Sequence, residues 1–228
     1  MFRFTFSLTA LLLAPLIVNA DKGLETLEQK ASYSFGVDFA KRLKDQGINL
    51  DIQALNHGIM DAASGKELAL KEGEMNQSKA EYTQQLRAKL EQEQKQKAAK
   101  NLEAGSKFLA ENAKKEGVVT TASGLQYKVI KSGSGATPKA SDTVTTHYRG
   151  TLIDGREFDS SYSRGQPASF PVNGVIKGWT EALQLMKVGD KWELFIPAEL
   201  AYGAQQRGEV IEPNSTLLFE IELLEIKK

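Results

Sequence analysis

Between His147 and Trp179 the chain brings together Tyr148, Phe158, Asp159, Phe170, Val175, Ile176 and Trp179, large apolar side chains around one carboxylate. Those residue types suit a shallow apolar cleft with a polar handle, which acts by shape and solvent exclusion. They also suit a packed β core. Bond-making chemistry has less support. The two histidines, His57 and His147, have no evident Ser or Cys partner in the sequence, and there is no cysteine. No His-Glu-x-x-His pattern or carboxylate cluster suggests a metal site, so neither a metal nor another cofactor is expected.

The elements that would position this set follow from local composition. Val144 to Tyr148 is β-branched and aromatic, which favours a strand. Asp154-Gly155 has the composition of a tight hairpin turn before Phe158. Pro167 and Pro171 bracket an edge segment, because neither can donate a ladder hydrogen bond. Gly178 leads into a short apolar helix over Trp179 to Met186. Leu125 to Val129, Lys191 to Pro197 and Thr216 to Ile226 read as further strands, the last with clear alternation. Ser132-Gly-Ser-Gly135 reads as a turn, since no helix follows it and no Lys-Ser/Thr stands at phosphate-loop spacing.

Upstream the character changes. Residues 1–20 read as a signal peptide, with Arg3, an apolar run interrupted by Pro15, and small residues at Val18-Asn19-Ala20. Without residues 1–20 the count becomes 28 basic against 29 acidic, since only Arg3 is lost from 29 and 29. That balance gives no reason to expect nucleic acid or an anionic membrane as the main partner. No proline lies between Ala20 and Thr137, which points to a helical first half and a strand-and-loop second half. Leu24, Leu27, Ala31, Phe35, Phe39 and Leu43 fall on one helix face, stopped by Gly47. Asp51 caps a second helix carrying Ile52, Leu55, Ile59 and Ala63, ended by Gly65. Two such helices cannot enclose a core alone, and the crowding of Tyr33, Phe35, Val37 and Phe39 favours a second copy as the partner. From Met75 to about Glu116 the composition is that of a long solvated helix, with Glu91/Lys95 and Glu93/Lys97 pairs and a bend expected at Gly105.

Taken in order, Tyr148, Phe158-Asp159, Phe170, Val175-Ile176, Trp179, Tyr202-Gly203, Ile211 and Phe219 resemble the FK506-binding-protein (FKBP) type of peptidyl-prolyl isomerase, over Gly117 to Lys228. Ser32-Tyr-Ser-Phe-Gly-Val-Asp38, Gln46-Gly-Ile48 and Asp61-Ala-Ala-Ser-Gly65 resemble the N-terminal module of its bacterial Mip-type members. The resemblance implies an α+β chain. A helical dimerisation module at 21–74 would be followed by a connecting helix at 75–116. A twisted antiparallel sheet around a short helix would form the catalytic domain at 117–228. It also implies a homodimer, exported to the periplasm or cell surface of a Gram-negative bacterium, acting on proline-containing unfolded polypeptides and inhibited by macrolides of the FK506 or rapamycin kind.

By the same resemblance Tyr148, Phe158, Asp159 and Tyr202 are the catalytic group. Phe170, Val175, Ile176, Trp179, Ile211 and Phe219 bind substrate, with Trp179 as floor and the Ile176 N–H and Tyr202 hydroxyl holding substrate carbonyls. Asp159 has two open roles, acting on the amide or accepting from Tyr148 or Arg164. Around Arg207-Gly208-Glu209 the chain departs from many members, which carry a histidine and an apolar or glycine residue there. A chaperone or surface-binding protein with incidental isomerase activity is the competing class; the complete set of cage aromatics favours the enzyme.

Overall fold

The computed structural model describes residues 23–227, so the expected signal peptide lies outside the described residues. The chain divides between Glu81 and Tyr82 into two compact units.

In the first unit, α1 spans Leu27–Asp45 and α2 spans Ile52–Ser64. Thr26 and Gln29 close a reciprocal capping box at the start of α1. Asp51 caps α2 by accepting from the Gln53 and Ala54 N–H groups, and Gly65 ends it in the left-handed region. Neither helix has a buried residue. The apolar stripe legible in the sequence is therefore exposed: Leu27 is 79 %, Phe35 74 % and Ile59 54 % accessible. A 41-residue helix, α3 (Glu72–Asn112), begins in this unit and ends in the next.

The second unit is built on one antiparallel sheet. Its strands are β1 (Val118–Thr120), β2 (Gln126–Lys131), β3 (Thr143–Leu152), β4 (Glu157–Ser160), β5 (Ala168–Pro171), β6 (Lys191–Ile196) and β7 (Leu217–Lys227). The order is β1-β2-β6-β7-β3-β4, and β5 shares the outer edge of β3 with β4. The edge position of β5 agrees with its flanking prolines. Alternation along β6 and β7 puts Trp192, Leu194 and Ile196 with Leu217, Phe219, Ile221 and Leu223 on one buried face. The short helix α4 (Lys177–Leu183) packs there and starts two residues before the expected Trp179. A Cβ at Gly178 would lie 2.6 Å from Ile196 Cγ2, so the glycine permits close contact of helix and sheet.

The end of α3 differs from the solvated spacer expected from composition. Asn112 is buried and donates to Gln126 Oε1 (3.0 Å), while Gln126 Nε2 donates to the Leu109 carbonyl (2.9 Å). Phe108 meets Phe195 at 6.0 Å between ring centres, on the sheet face opposite Leu194 and Ile196. Gly105 is a docking point: it is buried within α3, and a Cβ there would collide with the Thr216 hydroxyl. Lys97 pairs with Glu212 (3.3 Å) and not with Glu93, because its side of the helix faces the loop before β7. Glu93 lies 3.9 Å from Lys89 instead, and the expected Glu91–Lys95 pair is present. These contacts cross the boundary expected at residues 116 and 117.

Candidate active site

Strand β3 supplies the centre of the site. Tyr148 is held on its strand by Ser161, whose Oγ accepts from the Tyr148 N–H (2.8 Å) and lies 3.2 Å from the Tyr148 carbonyl. Ser161 Oγ is also 2.9 Å from His147 Nδ1, a partner for His147 that the sequence had not disclosed. Fully buried and committed to the β3 backbone, Ser161 is a strand clip and not a nucleophile. His147 itself stacks on Tyr162, 4.6 Å away.

Two residues along β3, Gly150 lies opposite Asp159 on β4 and Phe219 on β7. A Cβ at Gly150 would sit 2.5 Å from the Phe158 ring and 2.8 Å from the Phe219 ring. The missing side chain lets those two rings meet edge-on at 5.4 Å. Phe170 arrives from β5, opposite Val144. Val175 and Ile176 follow a turn of 3₁₀ helix, and Trp179 stands in the first turn of α4.

Trp179 is 4 % accessible and makes edge-on contacts with three rings: Phe219 at 5.1 Å, Tyr148 at 5.2 Å and Phe170 at 5.8 Å. Quadrupoles favour this edge-to-face arrangement, which fixes the rings without filling the space above the indole. That space is a cleft of about 710 Å³. All ten residues proposed from the sequence line it, from Tyr148 on β3 to Tyr202 and Ile211 on the loops before β7. Gly174, Lys177, Ala201 and Arg207 line it as well.

The polar handle is a closed set of three. The Tyr148 hydroxyl donates to Asp159 Oδ2 (2.5 Å), Arg164 Nη2 donates to the same hydroxyl (2.6 Å), and Arg164 Nη1 donates to Asp159 Oδ1. Burial pushes the Asp159 carboxyl up, but the donors on Tyr148 and Arg164 and the guanidinium charge together hold it below the usual carboxylate range. Burial, followed by the bond to Asp159, pushes the Tyr148 phenol up. Asp159 is thus ionised and Tyr148 neutral at pH 7. By contrast, the Ile176 N–H and the Tyr202 hydroxyl have no hydrogen-bond partner among the described residues.

Comparison with known proteins decides the family. Residues 134–224 match the model of the FKBP-type peptidyl-prolyl cis-trans isomerase, and residues 28–129 match the domain amino terminal to it. The chain belongs to the FKBP-type peptidyl-prolyl cis-trans isomerases. It is 48 % identical over 205 residues to the outer membrane protein MIP of Legionella longbeachae, covering 90 % of this chain and 88 % of that one. It is 50 % identical over 203 residues to the FKBP-type 22 kDa peptidyl-prolyl cis-trans isomerase of Escherichia coli K12, covering 89 % and 97 %. The crystal structure of FkpA from Escherichia coli superposes with a TM-score of 0.72 at 40 % identity, over 90 % of this chain and 99 % of that chain. The isomerase therefore acts on proline-containing peptide segments.

Proposed function

We propose that this isomerase uses the cleft above Trp179 to turn X-Pro bonds in unfolded, exported polypeptides, and that it works as a homodimer. The observation that carries the catalytic part is the combination of a rigid aromatic floor with two unpartnered polar groups at the mouth.

Rotation about a peptide bond is opposed by ~18–20 kcal/mol because amide resonance must be broken. X-Pro bonds populate both isomers, so any bias toward the twisted amide speeds a reaction that otherwise takes tens to hundreds of seconds. Each 1.36 kcal/mol removed from the barrier is about tenfold in rate. The proline ring sits on Trp179, walled by Tyr148, Phe170, Val175, Ile176, Ile211 and Phe219. Water that would solvate the planar, more polar amide is excluded there. The Ile176 N–H and the Tyr202 hydroxyl take substrate carbonyls and fix the peptide on either side of the turning bond. Phe158 and Asp159 form the wall beside the amide. Asp159, held by two donors of its own protein, acts first as a positioning residue that sets the Tyr148 hydroxyl.

Export is supported by residues 1–20 and by the name of the Legionella relative, an outer membrane protein. Dimerisation through α1 and α2 is supported by apolar faces that neither helix buries. Exposed apolar area of that extent on two helices requires a partner surface, and a second copy presents the same stripe.

The test is refolding of a protein limited by a trans-to-cis proline step, followed with and without catalytic amounts of the chain. A dose-dependent rise in the slow-phase rate supports the proposal. No rise with the wild type, or an equal rise with Trp179→Ala, overturns the assignment to this cleft.

A further inference from the structure

The proposed peptide cleft carries more positive charge than its catalytic parts need. Of the charged residues that line it, Asp159 is neutralised by Arg164. Lys177 and Arg207 are the other two, and neither forms an ion pair among the described residues. Their placement is specific. Lys177 directly follows Ile176, whose N–H is free. The Arg207 guanidinium lies 5.2 Å over the ring of Tyr202, whose hydroxyl is free. The two groups available to a peptide carbonyl thus share the cleft lining with two unpaired cations.

Arg207 is also held in place. Its N–H donates to the Ile211 carbonyl (2.9 Å), and the Ile211 N–H donates back to the Arg207 carbonyl (3.2 Å). Ile211 is buried in the core, so this small bridge ties the rim to the domain. The guanidinium lies over the Tyr202 face with no side-chain hydrogen bond among the described residues, which leaves its donors free for a planar, bidentate acceptor. A carboxylate has that geometry; a lysine or an uncharged amide side chain does not.

We infer that the cleft is selective for charge: Arg207, helped by Lys177, recognises an aspartate or glutamate immediately before or after the substrate proline. This rests on the proposed use of the cleft for X-Pro peptides. A side chain next to the proline lies just outside the cage, where the rim cations stand. At such distances, in a partly solvated site, attraction between unit charges amounts to about three- to tenfold in kcat/KM at low salt.

The experiment compares acetyl- and amide-blocked tetrapeptides, Ala-X-Pro-Phe and Ala-Leu-Pro-X with X as Glu, Gln or Lys, by NMR exchange between isomers. The expected Glu-to-Gln ratio of kcat/KM is about three to ten at 20 mM salt in at least one series, falling toward one at 0.5 M. Lys should rank below Gln. In Arg207→Gln the ratio should drop below about two, and in Arg207→Glu the order should reverse in favour of Lys. The ratio is internal to each variant, so a change in cleft shape that slows all peptides does not mimic the effect. A ratio of one in both series with good turnover overturns charge selection alone, as does a ratio that survives Arg207→Gln. Absence of turnover on every peptide overturns the use of the cleft itself, and charge selection with it.

Discussion

Gly150→Ala adds one methyl group against two walls of the cleft without touching any polar group. Its Cβ would fall 2.5 Å and 2.6 Å from Phe158 Cε2 and Cζ, and 2.8 Å from Phe219 Cε1. Those separations are far inside contact distance, so both rings or the strand must move. Overpacking of a filled site costs about 1–3 kcal/mol. A glycine replaced by alanine in ordinary strand conformation gains about 0.4–1 kcal/mol through the unfolded chain. The net loss is about 1–2 kcal/mol, or roughly 2–8 °C in Tm for a unit of this size. Activity should suffer more than stability, because Phe158 and Phe219 are two walls of the cleft; kcat/KM on a proline tetrapeptide should fall about tenfold or more. Thermal denaturation and NMR exchange measure the two effects on one sample. Adding Phe158→Leu removes the nearest ring atoms, so the double variant should regain much of the lost Tm while kcat/KM stays low. A Gly150→Ala protein with wild-type Tm and wild-type turnover would refute this account of the cleft wall.

Tyr202→Phe should lower kcat/KM about fivefold to tenfold with little change in Tm, since one hydrogen bond to substrate is lost; Trp179→Ala should lower Tm as well, by removing a buried aromatic worth about 3–5 kcal/mol. The pH dependence should be flat around neutrality. Asp159, depressed in the folded chain, contributes stability above its unfolded value near ~4 that is lost as pH falls through the lower folded value. Tyr148, raised in the folded chain, contributes stability below ~10 that is lost as pH rises through the higher folded value. A loss of kcat/KM centred near pH 6–8, not seen in Asp159→Asn, would contradict the closed Tyr148–Asp159–Arg164 set. A fragment beginning at Gln96 should fold and turn over short peptides, whereas one beginning at Gly117 should melt ~5 °C or more lower, having lost Phe108 and the partner of Gln126. Phe35→Glu should convert the full chain to a monomer in sedimentation while leaving tetrapeptide turnover unchanged.

How much of this was legible beforehand depends on how local the signal is. The caps at Asp51 and Gly65, the alternation of β6 and β7 and the edge prolines around β5 are local, and each appears where the residue types require. The cleft lining was legible through the order of its motifs, because aromatics at strand ends have meaning only once the strands are paired. What escaped notice depends on contacts between segments far apart in sequence. Gly150 reads as one more strand residue until β4 and β7 bring Phe158 and Phe219 beside it. Gly105 reads as a weak point in a helix until Thr216 lies against it. Lys97 has an acidic residue four positions before it, and only the folded loop supplies the Glu212 it pairs with. His147 and Ser161 are fourteen residues apart and meet across the β3–β4 hairpin.

The proposed seat of isomerisation is the space above the Trp179 indole. Trp192, the other tryptophan, is stacked on Tyr127 away from the cleft, so Trp192→Phe leaves Trp179 as the only indole reporter. A macrolide of the FK506 kind titrated into that variant should change Trp179 emission and abolish peptide isomer exchange along one shared curve, saturating at one macrolide per chain. Inhibition that leaves Trp179 emission unchanged, or macrolide saturation that leaves exchange running, would place the chemistry elsewhere.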